Sequence, residues 1–473
     1  MAPGIAIASG EIVLDARTRP GEDPLLLLRA AAEAAERDMV LAPPTAARLV
    51  REGVPIPEPW PEEARELMVR LLAAGRGLLP VWETLEETGS LEQILPEWDR
   101  IRLLPHASAI HRFTVDRHVV ETCIEAAALI RHASRPDVLV MAALLHDIGK
   151  GGTGSHSIEG VPLARAVAER MGFDAESVDV IASLVRWHLL LSETAATRDP
   201  DEPATVGLIT QHIDSVDTLM LLRTLTEADA RAASPQAWTA WRAGLVDQLV
   251  RHAARAIDRP DLPLLGPQDP RVEVPKEFRR GKANLSFQVE PVGDAGRVRV
   301  IAPDRIGLLA DVAGVLALQR CSVRSARAWS QDSWGISEWE VADTHLDAAV
   351  LRQRFEAIVS GRLNLDRLRR SDPSKLPPAV LVYPEASHAA TVIEVRATDR
   401  PGLLYLVCEA LADQKVSVRS AHVATVGPQA VDVFYVQEPG GGDLSEVRAA
   451  AAAEAVRNAL QPPGPPQGEV PND

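Results

Sequence analysis

A chain of 473 residues with 46% hydrophobic content and a net charge of −16 has the length for about three domains, each with its own core. The acidic balance argues against a general nucleic-acid binder, which neutralises phosphates with clustered Lys and Arg. No apolar run approaches the ~20 residues that span a bilayer, and Met1 to Gly10 lacks the basic-then-apolar order of a signal peptide. Cys123, Cys321 and Cys408 stand isolated, with no C-x-x-C spacing, which fits a reducing cytoplasm rather than a disulfide framework.

Residues 1–100 read as a helical N-terminal segment: from Asp23 to Glu97 an Ala-, Leu-, Glu- and Arg-rich pattern is broken by prolines between Pro43 and Pro61. Residues 101–262 read as a second, all-helical unit that holds most of the histidines. His118 lies on an amphipathic helix beside Val115 and Val119. Val138 to Leu145 is apolar on every side and therefore buried, and it ends in His146-Asp147. Such a pair has two readings, a hydrogen-bonded core pair or metal ligands. His118 and the downstream Asp229 favour the second, because mixed imidazole and carboxylate ligands suit a divalent metal such as Mn, Fe, Zn or Mg. His156 and His188 are candidates for a second ion. Lys150, one turn past the pair, reads either as a cation meeting the helix dipole or as a group that stabilises negative charge on a substrate. Trp238 and Trp241, at helical i,i+3 spacing, are expected to pack in the core.

Residues 263–295 read as a linker. Prolines crowd the approach from Asp258 to Pro275, and the patch Lys276, Arg279, Arg280 and Lys282 is expected to be a solvated connector. Beyond it the chain repeats itself: Asp304-Arg-Ile-Gly-Leu-Leu309 recurs as Asp399-Arg-Pro-Gly-Leu-Leu404, and Ser322-Val-Arg-Ser-Ala326 as Ser417-Val-Arg-Ser-Ala421, both 95 residues on. Each copy, at 296–384 and 389–461, shows the β-α-β-β-α order of a ferredoxin-like module, and Val380 to Tyr383 is expected to close the first copy with a fourth strand. Residues 462–473 read as a disordered tail. Each Asp-Arg-x-Gly turn puts free N–H groups at a helix N-terminus suited to a carboxylate, with Asp304 and Asp399 placed to accept from an amino group. The alternative is that Gly307 and Gly402 only permit a tight turn and the modules only dimerise.

The order His118, His146-Asp147, Asp229 resembles that of HD-domain phosphohydrolases, and in detail the uridylyl-removing half of the bifunctional PII uridylyltransferase family. The resemblance rests on His111-Arg-Phe-Thr-Val-Asp-Arg-His118, Ala143-Leu-Leu-His-Asp-Ile-Gly-Lys-Gly151, His156-Ser157 with Gly160, Leu184-Val-Arg-Trp-His-Leu-Leu-Leu-Ser192, Thr226-Glu-Ala-Asp229, and the two Asp-Arg-x-Gly-Leu-Leu motifs. It implies a multidomain α and α+β chain, with an all-helical HD phosphohydrolase domain followed by two ferredoxin-like (βαββαβ) ACT domains. It also implies metal-dependent removal of a nucleotide from a tyrosine of a PII signalling protein. His146, Asp147 and Lys150 are then catalytic, and His118, His146, Asp147 and Asp229 hold the metal. Glutamine is the implied effector, at Asp304, Gly307, Asp399 and Gly402; the charge and the lack of a spanning apolar run point to a cytoplasmic protein with neither nucleic acid nor membrane as partner, and a homo-oligomer through the ACT domains stays open.

Two departures stand out: Ser155 occupies the place of an Asp before His156, and Ser108 that of an Asn or Asp. The first removes a carboxylate that would orient His156. The family's nucleotidyltransferase motif, a Gly-Ser turn followed by Asp-x-Asp, is absent from these residues, where the sole Asp-x-Asp is Asp199-Pro-Asp201; the expectation is a chain that removes nucleotides and does not attach them. UMP and AMP are equally compatible as the group removed. An alarmone hydrolase that joins HD to ACT is the enzymatic alternative, but Ile148 to Gly152 stands where that group carries a Glu-Asp pair. A non-catalytic, glutamine-sensing PII-binding protein is the other alternative.

Overall fold

The computed structural model describes residues 2–106, 112–235, 237–264, 266, 269–279, 284–293, 295–369, 377–383, 386–387, 389–426 and 429–461. Ser108, Arg280, Lys282 and the tail 462–473 lie outside the described residues. The chain divides into two compact units, Met1–Ser192 with Ile209–Thr239 and Ala253–Arg259, and Glu193–Leu208 with Ala240–His252 and Pro260–Asp473.

The first unit opens with a hairpin rather than a helix. Strands β1 (Ile5–Ala8) and β2 (Glu11–Leu14) pair across Ser9-Gly10, both at positive φ, the backbone that a two-residue hairpin turn demands. The helical reading of residues 1–100 is corrected there and at β3 (Val40–Leu41), which adds to β2 in parallel. Elsewhere in that segment helices prevail: α1 (Leu26–Glu36), α2 (Pro43–Glu52), α3 (Glu62–Leu72), α4 (Leu78–Glu87) and α5 (Leu91–Ile94). Helices α6 (Val115–Leu129), α7 (Pro136–Leu145), α8 (His156–Arg170), α9 (Ala175–Trp187), α10 (Leu190–Thr197), α11 (Pro203–Thr210), α12 (Val216–Ala233) and α13 (Ala240–Asp258) follow. Within this unit α7 is the axis. Pro136 presets its first turn, Val138 to Leu145 are all buried, and α6, α9 and α12 pack around it. Residues 101–262 are thus not all of one unit, because Glu193–Leu208 and Ala240–His252 group with the second.

The second unit is built on one eight-stranded sheet. After α14 (Lys276–Arg279) come β4 (Ser286–Val292), β5 (Ala295–Pro303), α15 (Leu308–Leu318), β6 (Val323–Gln331), β7 (Trp334–Val341), α16 (Ala348–Val359), β8 (Ala379–Tyr383), β9 (Thr391–Thr398), α17 (Leu403–Asp413), β10 (Ser417–Val426), β11 (Gln429–Gln437) and α18 (Glu446–Leu460). The strand order β4-β5-β7-β6-β10-β11-β9-β8 is two ferredoxin-like modules set side by side, joined where Ala326 pairs with Ala421.

Two expectations change here. The fourth strand of the first module is β4, inside the stretch read as a linker, which pairs with β5 across a turn opened by Gly293 at φ 61°. Val380 to Tyr383 instead pairs with β9 and serves the second module. In both cases the added strand precedes its module, since a short connection to the next strand closes an antiparallel pair at small entropic cost. The stretch is also no free connector, because Val274 and Phe278 bury against Ile301, Trp329 and Ile336. The helices cover the sheet face that carries Ala326, Trp339, Ala421 and Phe434. On the opposite face Arg198 to Glu202 is clamped: the Asp199 N–H donates to Tyr435 Oη at 2.9 Å, Gln248 donates to Asp201 at 2.6 Å, and buried Glu202 pairs with Arg419.

Candidate metal centre and active site

His146 and Asp147 continue α7 past its last residue, and the side chains around them arrive from four other helices. His118 comes from α6, His156 from the first residue of α8, His188 from the end of α9, and Asp229 from α12. The approach of α8 depends on glycine. A Cβ at Gly149 would stand 2.1 Å from the His156 carbonyl oxygen and 2.4 Å from the Gly160 nitrogen, so only a residue without one lets the two backbones meet. His118, His146, Asp147 and His188 are each 2% exposed or less.

The side chains form two groups. In one, the ligand atoms of His118, His146 and Asp229 lie within 4.8 Å of one another, and in the other those of Asp147, His156 and His188 do. Asp147 borders both: its Oδ2 is 3.4 Å from His146 Nε2, and its Oδ1 is 3.6 Å from His156 Nε2 and 3.8 Å from His188 Nε2. Asp229 Oδ1 meets His118 Nε2 at 2.9 Å and stands 3.9 Å from His146 Nε2. His146 Nδ1 and His188 Nδ1 donate at 2.8 Å to the carbonyls of Ala143 and Val185, one turn back on their own helices. Those bonds turn both Nε2 atoms inward and fix the ring orientation.

Burial opposes charge on Asp147, Asp229, His146, His156 and His188, and for the first three the partners outweigh it. For Asp147, His146, Lys150 and His188 outweigh burial and hold the carboxyl well below the usual carboxylate range. Asp229 is likewise held low against burial by its hydrogen bond from His118 and by His146. Burial acts against a charged His146, but Asp147 and Asp229 raise its pKa on balance. Burial and the nearby His146 bring His188 down to about 4, and burial likewise lowers His156.

These residues fit a divalent metal. Two ionised carboxylates and four imidazoles converge, and His146 Nε2 is buried without a hydrogen bond, which is costly unless something else binds that lone pair. His188 is neutral at physiological pH and ready to ligate. The position before His156 carries no carboxylate: Ser155 Oγ instead lies 3.1 Å from Ser157 Oγ. Lys150 donates to Asp147 Oδ2 at 2.6 Å and contacts His106 Nε2 at 2.7 Å. Sequence reasoning missed His106, whose only signal was its place in a histidine-rich stretch. Trp238 and Trp241 are half-buried rather than core residues, since α13 begins between them at Ala240. Each lies against an arginine, Arg223 and Arg324 respectively.

In the second unit both glycine turns cap helices in the left-handed region, Gly307 at φ 87° and Gly402 at φ 90°. Only one of them borders a shared cavity of about 240 Å³, lined by Asp399, Arg400 and Gly402 from the second module, Arg320 and Ser322 from the first, and buried Asp432. Asp304 does not line it; its carboxylate accepts from Ser330 Oγ at 2.6 Å.

Residues 115–219 match the HD domain family, and residues 296–360 and 391–455 each match the ACT domain family. The chain thus carries one HD domain and two ACT domains. It is 40% identical, over 98% of its length, to a bifunctional uridylyltransferase/uridylyl-removing enzyme of Streptomyces coelicolor. It is 35% identical over 95% of its length to the enzyme of that name from Mycobacterium tuberculosis, and 32% identical over 81% to that of Gluconobacter oxydans. The chain covers 62%, 58% and 49% of these relatives, so it spans about half to six-tenths of their length. The matched HD region contains His118, His146, Asp147, Lys150, His156 and His188, while Asp229 lies beyond its end on α12. Both ACT matches contain their Asp-Arg-x-Gly turns. Among the described residues no helix is long and apolar enough to cross a membrane.

Proposed function

We propose that this chain is a metal-dependent hydrolase that removes a nucleotide from a tyrosine of a PII signalling protein, under control of glutamine bound to its ACT domains. The observation that carries the reading is the convergence of six buried or half-buried His and Asp side chains around the orphaned Nε2 of His146, in a chain whose relatives bear the name uridylyl-removing enzyme. His118, His146, Asp147 and Asp229 would hold a divalent metal, which when bound would supply a nucleophile at neutral pH and polarise the phosphorus, and His156 with His188 would serve a second ion. The remaining chemistry belongs to the chain. Asp147 orients Lys150, whose third N–H faces away from its two fixed acceptors and is placed to stabilise non-bridging phosphate oxygens. The leaving group is a phenolate with a pKa of ~10, so no strong general acid is required. The 240 Å³ cavity suits an amino acid, with the Gly402 helix N-terminus for its carboxylate and Asp399 or Asp432 for its ammonium, which favours the second turn over the first.

Incubating PII protein that carries UMP or AMP, and reading its intact mass, tests substrate and direction together. The expected result is loss of one nucleotide with metal present and none after chelation; no loss of either nucleotide under any metal refutes the hydrolase. Unmodified PII protein incubated with UTP or ATP, magnesium and these 473 residues is expected to keep its mass. Calorimetry without heat on adding glutamine refutes the effector assignment. Ser155 in place of a carboxylate favours the second reading, a glutamine-sensing PII-binding protein without catalysis, which stoichiometric metal in the reconstituted protein contradicts.

A further inference from the structure

We infer that His106 is a positioning residue that aims Lys150, an inference that rests on the hydrolase reading above. A lysine ammonium has three donors and no acceptor. Asp147 Oδ2 takes one at 2.6 Å and His106 Nε2 takes another at 2.7 Å, so the direction of the third is set by the two that are held. Because an ammonium only donates, His106 accepts through Nε2, and its ring stands edge-on to His118 with centroids 5.7 Å apart.

The turn that delivers His106 is itself built for the purpose. Leu103 sits at φ 53°, a backbone that a branched, 70% exposed side chain does not choose for its own packing. It is held there by Asp116, a carboxylate only 5% exposed, which accepts the Leu103 N–H at 2.7 Å while the Val115 N–H donates to the Leu104 carbonyl at 2.9 Å. On its far side the turn rests on Gly151, where a Cβ would stand 2.7 Å from the Arg100 carbonyl oxygen. A buried carboxylate, a strained leucine and a glycine contact thus combine to bring one imidazole to Lys150 Nζ.

Lys150 is one of five lysines in the sequence, so its side-chain ammonium can be followed by lysine-selective nitrogen-15 NMR and assigned with K150M. In the full chain, H106L is expected to shift the Lys150 ammonium signal to that of a freely exposed lysine. Bound metal should stay unchanged, and kcat should fall about 10–100-fold, as when the partner of a catalytic group is lost, with KM changed by less than about twofold. H106Q, whose amide oxygen accepts in place of Nε2, should restore both the signal and most of the lost kcat. An unmoved Lys150 signal in H106L overturns the inference, as does loss of metal in both variants, which makes His106 a ligand. K150M with full turnover refutes instead the role given to Lys150 in hydrolysis, and leaves the His106–Lys150 bond to be judged by the NMR signal.

Discussion

His188 should make the metal-free protein lose stability as pH falls below neutrality, and replacing it with asparagine should remove that dependence. Its ring is 1% exposed, and burial with the nearby His146 brings its pKa to about 4 from an ordinary 6.5. Between those values the unfolded chain takes up a proton that the folded chain refuses. The stability is therefore present in full above pH 6.5 and is lost progressively as pH falls to 4. The whole separation corresponds to about 3 kcal/mol, of which about 2 kcal/mol disappears between pH 7 and pH 5. His146 works with the opposite sign, because its raised pKa stabilises the fold at low pH and that contribution is lost as pH rises; subtracting the variant from the parent leaves the His188 part. The assay is urea unfolding after chelation, followed by far-ultraviolet circular dichroism at pH 7 and pH 5. Parent and His188→Asn curves that shift in parallel, to within about 0.5 kcal/mol, would refute the reasoning.

Asp147→Asn or His146→Ala should lose bound metal and lower hydrolysis at least about a hundredfold while the melting curve shows a folded protein; turnover equal to the parent contradicts the metal centre. Gly402→Ala should destabilise the second ACT domain by about 1 kcal/mol or more, because its Cβ would stand 3.0 Å from Leu368 Cβ. Gly307→Ala should cost less, with its nearest neighbour the Arg305 guanidinium at 3.5 Å, and glutamine calorimetry should rank the pair the same way. Glu202→Gln should cost roughly 3 kcal/mol in chemical denaturation, since it strands Arg419, whose side chain is only 12% exposed. A cost under about 1 kcal/mol would show that the pair is solvated.

Much of the candidate site was legible before any fold was known, because its signals are local. Eight consecutive apolar residues ending in His146-Asp147 mark a buried helix tip whatever surrounds it. Two copies of Asp-Arg-x-Gly-Leu-Leu mark two helix starts, and the left-handed backbone found at both Gly307 and Gly402 is the conformation that glycine permits at least cost. The sequence order His118, His146, Asp147, His156, His188, Asp229 named the residues that meet, though not which of them meet first.

What the sequence determined by itself is the set of elements whose patterning repeats within a turn or a strand: the apolar α7, the β-α-β-β-α order of each ACT domain, and the chemistry of the ligand types. Tertiary structure decided every question of partnership. Val380 to Tyr383 alternates equally well beside either module, and only the short connection to β9 assigns it to the second. Asp147 could face one group or two, and its two oxygens divide between them because α8 closes on the end of α7 through Gly149 while α9 packs against Gly160 of α8. His106 reached Lys150 through a strained turn held by Asp116, and Glu202 found Arg419 more than two hundred residues away. Such pairings leave no period in the chain, because the free energy that selects them comes from burial and charge neutralisation between segments that sequence distance does not relate.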